Sequence, residues 1–166
     1  MKGVTARMAF TQLFSQRFGY AVHALCYIAR RPPDVLVTGP ELAAWMRTFW
    51  PNTSETYLTN VIQRLARGGL LRSHRGVRGG YSLARASEEI TVRDIVCLLD
   101  SSPPPQCNLA PGGACPVHVG CGILHTLKGL AEACLELLAE VSIAELSQGL
   151  GVNMPGEPAV VPLTAD

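Results

Sequence analysis

Between Ser54 and Ala84 the succession of local signals leaves few folds open. Ser54 is an N-cap residue type, and Leu58, Val61, Ile62 and Leu65 then recur at helical spacing, which puts one apolar stripe on an otherwise polar helix. Gly68-Gly69 ends that helix. Leu70-Leu-Arg-Ser-His-Arg75 reads as a strand, Gly76-Val-Arg-Gly-Gly80 as a tight turn and Tyr81-Ser-Leu-Ala84 as the returning strand. An amphipathic helix running straight into a glycine-tipped hairpin is the second half of a winged helix, so a first helix should precede it. One does: Thr38-Gly-Pro-Glu41 is a capping box with Pro in the first turn, opening a short helix through about Met46. Trp50-Pro51 interrupts it, since a residue before proline avoids helical geometry.

The rest of the chain fits around this unit. Phe18, Ala21, Val22, Leu25, Ile28 and Ala29 predict a helix over Gln16–Arg30, stopped by Pro32-Pro33, with Cys26 as a small core residue. Thr91 caps a helix with Ile95, Leu98 and Leu99 facing inward, ending near Asp100. Ile123, Leu127, Leu130, Cys134, Leu137 and Val141 are spaced four, three, four, three, four, a heptad seam suited to pairing two subunits; the alternative is a helix packed on its own domain. The expected architecture is mainly α with a small β-hairpin wing. Residues 1–15 form an extension, 16–100 the winged helix-turn-helix domain, 101–122 a cysteine loop, 123–148 the dimerisation helix with a short following segment, and 149–166 a disordered tail.

Charge sharpens the reading. The net charge is only +1, yet Thr56–Ser87 contains no Asp or Glu and carries Arg64, Arg67, Arg72, Arg75, Arg78 and Arg85, six of the fourteen basic residues. Such a stretch is a phosphate-binding footprint that whole-chain charge conceals. Ser54, Glu55, Thr56, Tyr57 and Asn60 start the reading helix, where side chains reach base edges in a major groove. Tyr57 and Asn60 are the expected base contacts and Arg64 and Arg67 the phosphate contacts, while Arg75 and Arg78 on the wing face backbone or minor groove. Glu55 works against this, because a carboxylate near DNA repels phosphate.

Cys107, Cys115 and Cys121, with seven and then five residues between them, lie on a stretch broken by Pro111, Gly112, Gly113 and Pro116. Three thiols on one loop can converge on soft-metal or iron–sulfur ligation; three uncoordinated thiols are the plain alternative. Hydrophobic residues at 48% with 16% charged support a core, and no apolar run approaches a membrane span, so a cytoplasmic location is expected, where clustered thiols indicate metal before disulfide. HExxH, GxSxG, a phosphate-binding glycine loop and Cys-x-x-Cys are all missing, which argues against an enzyme.

Gly76-Val-Arg-Gly-Gly-Tyr-Ser-Leu-Ala, Leu58-Thr-Asn-Val-Ile-Gln-Arg-Leu-Ala-Arg-Gly-Gly-Leu-Leu and the three-cysteine loop together resemble the Rrf2 family of bacterial iron–sulfur winged-helix regulators over about Phe14 to Gly149, with Cys115-Pro-Val-His-Val-Gly-Cys121 nearest the NsrR-like branch. The resemblance implies a homodimer paired through its long C-terminal helices on double-stranded operator DNA. It also implies a [2Fe-2S] or [4Fe-4S] cluster held by Cys107, Cys115 and Cys121 near the dimer interface. The fourth ligand departs from the family. Gly19 stands where NsrR-like proteins carry Asp, and Leu124 where IscR-like ones carry His. His23, one turn after Gly19, and His125, one turn after Cys121, are the substitutes. The functional expectation is a transcriptional regulator, read as a repressor, whose operator affinity follows nitric oxide, redox state or iron–sulfur status. The rival is a winged-helix regulator with structural zinc or a cluster-free thiol sensor.

Overall fold

The computed structural model describes residues 15–76, 79–99 and 121–149. Helix α1 (Gln16–Ala29) opens on Ser15, whose hydroxyl accepts from the Phe18 N–H. It buries Tyr20, Ala21, Ala24, Leu25, Cys26, Tyr27 and Ile28. Cys26 is fully buried, and desolvation pushes its thiol up to about 12, the state of an inert core residue.

Helix α2 (Gly39–Phe49) begins with the expected capping box at Thr38 and Glu41. It runs about one turn beyond the expected end at Met46. Arg47, Thr48 and Phe49 remain helical because the constraint of Pro51 falls on Trp50 alone, which adopts φ −126° and ψ 85°. Arg31 ties α1 to α2: its Nη2 donates to Tyr27 Oη at 2.5 Å and to Glu41 Oε1 at 2.7 Å. Helix α3 (Glu55–Arg67) buries its whole predicted stripe, Leu58, Val61, Ile62 and Leu65, each at most 3% exposed, and ends at Gly68.

Strands β1 (Leu71–His74) and β2 (Gly80–Leu83) pair antiparallel with Leu71 opposite Leu83 and His74 opposite Gly80. Sequence patterning gave the hairpin but not its anchor. Val37, from the segment before α2, adds an isolated bridge to Tyr81: the Val37 N–H donates to the Tyr81 carbonyl at 3.0 Å, and the Tyr81 N–H to Val37 O at 2.8 Å. That approach requires glycine at position 80, where a Cβ would lie 2.9 Å from the Val37 oxygen.

Helix α4 (Val92–Leu99) follows the Thr91 cap, and Ile95 and Leu99 are fully buried as expected. Val92 and Val96 are buried as well, on a second face turned to helix α5 (Gly122–Glu140). The segment after α5 is a short helix, α6 (Ile143–Gln148), and its Ser142/Glu145 capping box was present in the sequence as Ser-x-x-Glu. The caps of α4 and α6 are joined by an antiparallel bridge between Thr91 and Ser142, with the Val92 N–H on the Val141 carbonyl at 2.9 Å and the Ile143 N–H on Ile90 O at 2.8 Å. Ile143 is fully buried, and α6 packs along α1. The chain therefore returns to its first helix after the α5 arm.

Gly80→Ala should destabilise the protein by roughly 1–3 kcal/mol in urea unfolding, because the new methyl meets backbone. Gly19→Ala in α1, where a Cβ meets nothing within 4 Å, should instead be stabilising by about 0.5–1 kcal/mol through helix propensity. Equal effects would contradict the close approach of the wing to Val37.

Candidate DNA-reading surface and metal-ligand residues

With its apolar stripe buried, α3 turns Glu55, Thr56, Asn60, Gln63 and Arg67 outward, all exposed. Ser54 is exposed too, but its hydroxyl caps the helix by accepting from the Tyr57 N–H at 3.3 Å. The Ser54 N–H in turn donates to Tyr20 Oη at 3.0 Å, so α1 fixes the start of α3. Tyr57 is half-buried, its ring edge-on to Tyr20 with centroids 5.2 Å apart; much of this expected base contact is spent on packing.

Glu55 does not stand alone beside a phosphate surface. Arg47 of α2 donates to its Oε2 at 2.9 Å. Both partners are exposed, so the pair adds at most about 1 kcal/mol to stability, but it sets a positive charge beside the carboxylate.

The two arginines of α3 part company. Arg67 is exposed, its Nε donating to the Gln63 carbonyl at 3.3 Å. Arg64 turns inward: its Nε and Nη2 donate to the Leu98 carbonyl at 3.1 and 3.0 Å. The phosphate contact expected of Arg64 is thus not what its guanidinium makes here. It caps the C-terminus of α4, whose last carbonyls lack helical partners and whose dipole favours a cation. Composition could not separate the two arginines, because the difference lies in what faces each of them across the fold.

On the wing, Arg75 is exposed just beyond β1, and Arg72 is exposed on β1 itself; Arg78 lies outside the described residues. Gln63 is a surface residue that the sequence pattern did not single out as a DNA contact, whereas Arg72 belonged to the basic stretch read as a phosphate-binding footprint. The signal for Gln63 was its place three residues after Asn60 and seven after Thr56 on the same helical face.

Of the three loop cysteines, Cys107 and Cys115 lie outside the described residues. Cys121 is half-buried at the mouth of α5, and its carbonyl accepts from the His125 N–H at 3.1 Å. The His125 side chain is exposed. Among the described residues no three His, Cys, Asp or Glu side chains come together as a metal site.

His23 is placed differently. Its Nδ1 lies 2.7 Å from the Gly19 carbonyl. A carbonyl oxygen can only accept, so Nδ1 carries a proton, and in the neutral ring the lone pair lies on Nε2. The ring stands edge-on to Trp50, centroids 4.6 Å apart, and lines an open cavity of about 270 Å³ together with Gln16, Gly19, Tyr20, Met46 and Trp50.

The heptad row divides. Ile123, Leu130 and Leu137 are 75%, 59% and 65% exposed. Cys134 and Val141 are half-buried and pack with Val92, Val96 and Leu135. The Leu127 side chain is outside the described residues. Ala131 and Leu135 form the buried row, about a third of a turn from the exposed one. The helix thus packs on its own domain along one edge and presents leucine and isoleucine seven residues apart along another. Among the described residues no helix is long and apolar enough to cross a membrane.

These features have counterparts in known proteins. The family model for Rrf2, an iron-dependent transcriptional regulator, matches residues 14–149. Protein aau3 of Rhizobium meliloti is 32% identical over 152 residues, covering 87% of this chain and 95% of its own. The HTH-type transcriptional regulator NsrR of Halalkalibacterium halodurans is 28% identical over 128 residues, covering 76% and 84%. In structure, CymR, the global cysteine regulator of B. subtilis, superposes with a TM-score of 0.61 at 21% identity over 82% of this chain and 96% of that one, which shows a shared fold. The winged helix, the outward face of α3 and the match along nearly the whole described chain agree: this chain belongs to the Rrf2 family, and it is a DNA-binding transcriptional regulator rather than an enzyme.

Proposed function

We propose that the chain acts as a homodimeric regulator that reads operator DNA with α3 and the wing, and that its affinity for the operator is set by an iron–sulfur cluster held by Cys107, Cys115, Cys121 and His23. The observation that carries this reading is the state of His23. Metal-ligating histidines characteristically donate their second ring N–H to a carbonyl or carboxylate, which fixes the tautomer and aims the other nitrogen. His23 does this with Gly19. The donor set, three thiols and one imidazole, suits iron–sulfur ligation as well as zinc. His125 is exposed, with no comparable side-chain hydrogen bond among the described residues, and is the weaker substitute.

The chain's own residues supply the rest. Asn60, Thr56 and Gln63 present hydrogen-bonding groups toward base edges, and Arg67 and Arg75 neutralise phosphate. Ile123, Leu130 and Leu137 offer the seam for a second copy. Tyr20 links the two ends of the device, since it follows Gly19 at the ligand cavity and accepts from the N-cap of α3. When bound, the cluster supplies a centre whose ligation responds to nitric oxide, oxygen or loss of iron. A second reading, a thiol sensor without a cluster or with structural zinc, draws on the likeness to CymR in fold.

Protein isolated without oxygen should show visible absorption and an electron-paramagnetic signal on reduction or nitrosylation, and operator affinity should differ between loaded and stripped protein. A colourless protein with one zinc per chain would establish the second reading instead. His23→Ala should loosen the cluster by more than the roughly 10–100-fold that loss of an outer-shell partner costs. Because a Cβ at position 19 meets nothing within 4 Å, Gly19→Asp in that background should restore retention; equal retention in wild type and His23→Ala would remove His23 from the ligand set.

Arg75→Ala should lower operator affinity and reduce the slope of log K against log salt by about 0.9 for each phosphate no longer neutralised. An unchanged slope in a salt titration would exclude the wing from the backbone. Leu130→Glu with Leu137→Glu should yield a monomer in sedimentation with helical content intact, since both side chains are exposed within the protomer. A dimer that survives both changes would place the subunit interface elsewhere.

A further inference from the structure

Arg64 is a basic residue of the reading helix that does not face outward, and what it holds is specific. Its two donors converge on the carbonyl of Leu98, the penultimate residue of α4. The same leucine closes over the end of α3 with its side chain: a Cβ on Gly68, the C-cap of α3, would overlap Leu98 Cδ1. One residue thus fastens the ends of both helices, once through charge-assisted hydrogen bonds and once through a close approach that only glycine admits. On its other side α4 carries Val92 and Val96, which pack with Leu135, Cys134 and Leu138 of α5 in an apolar cluster separate from the main core. Helix α4 is a strut between the reading helix and the arm.

Small errors at such a strut are magnified. A helix of nineteen residues is roughly 28 Å long, so a tilt of about 10° at its base moves its far end by about 5 Å. Two reading heads on one duplex have to stand about 34–36 Å apart, or a multiple of that. An error of this size therefore matters to a dimer and hardly at all to one head.

We infer that Arg64 is a positioning residue that fixes the direction of α3 relative to the α4–α5 arm and, through the arm, the spacing of the two reading heads. The second half of this inference rests on the dimer proposed above; the first does not. A phosphate-contacting arginine would act on each head separately and through its charge, whereas Arg64 acts through Leu98.

Two measurements on the full-length protein test it. In the first, spin labels are introduced through non-natural residues at the exposed positions Thr56 and Glu132, and labelled protein is diluted into unlabelled protein so that only distances within a protomer are read. Arg64→Gln should broaden or shift the distance distribution by roughly 2 Å, because Glu132 stands about 12 Å from the end of α5 that packs on α4. Arg64→Lys, which keeps one donor and the charge, should fall between, and Gly68→Ala should displace the distribution with the guanidinium intact. Unchanged distributions in all three variants, with thermal melts confirming that they fold, would overturn the inference.

In the second, binding is measured to a duplex selected from random DNA by the wild-type protein, and to the same duplex with one half scrambled. Arg64→Gln should bind the two-half duplex about 10²-fold more weakly, the low end of a forfeited bivalent advantage, with little change on one half and an unaltered salt slope. Equal weakening on both duplexes, with the slope reduced by about 0.9 per head, would make Arg64 a phosphate contact and overturn the positioning role. If wild-type protein is monomeric and binds both duplexes alike, the dimer reading fails, and the label distances alone decide Arg64.

Discussion

Half of the fourteen residues of α1 are buried, among them Tyr27, Leu25 and Cys26 at 0% exposure, so this helix has to be enclosed before anything else in the protein can be stable. Burying a side chain of this size is worth about 1.5–3 kcal/mol, and α1 supplies several. Helix α3 covers it with Leu58, Val61, Ile62 and Leu65, α2 through Tyr27, Trp45 and the Arg31–Glu41 pair, and α6 with Ile143. The reading helix is positioned because it is one wall of that enclosure. Its N-cap N–H lies on Tyr20, its stripe on the core, and its C-terminus on Leu98.

The same enclosure sorts the charges. Acid-free sequence from Thr56 to Ser87 suggests one basic surface, but packing assigns its members to different tasks. Arg67 and Arg75 are left outside, while Arg64 sits opposite the open end of α4 and is drawn to the carbonyls there. Glu55, an apparent obstacle to DNA, meets Arg47 from the preceding helix. Each outcome depends on which helix end or side chain lies across a few ångströms of space.

Helix α5 divides one periodicity between two edges. Its heptad row was legible, yet Cys134 and Val141 settle against α4 while Ile123, Leu130 and Leu137 remain exposed. The cysteine loop lies between this arm and α4 in sequence. The His23 cavity lies on α1, which also bears on α3, so a ligand there would share an element with that helix.

Local chemistry alone settled most of the elements, though it ended α2 at Met46 and left the segment that forms α6 unassigned. Capping residues, glycine pairs, proline stops and apolar periods fixed α1 to α4, the hairpin and the arm, since each depends on neighbours within a few residues. It also marked the ligand candidates, as thiols and imidazoles carry their chemistry wherever they stand. Contacts across long sequence separations were decided by tertiary structure: the Val37–Tyr81 bridge that anchors the wing, the junction of the α4 and α6 caps and the turning inward of Arg64. The placing of His23 against Trp50, with one ring nitrogen available, belongs with them. A helix pattern states which face will be buried, but not which residue of another helix will lie against it. That partner is set by how the apolar stripes enclose α1.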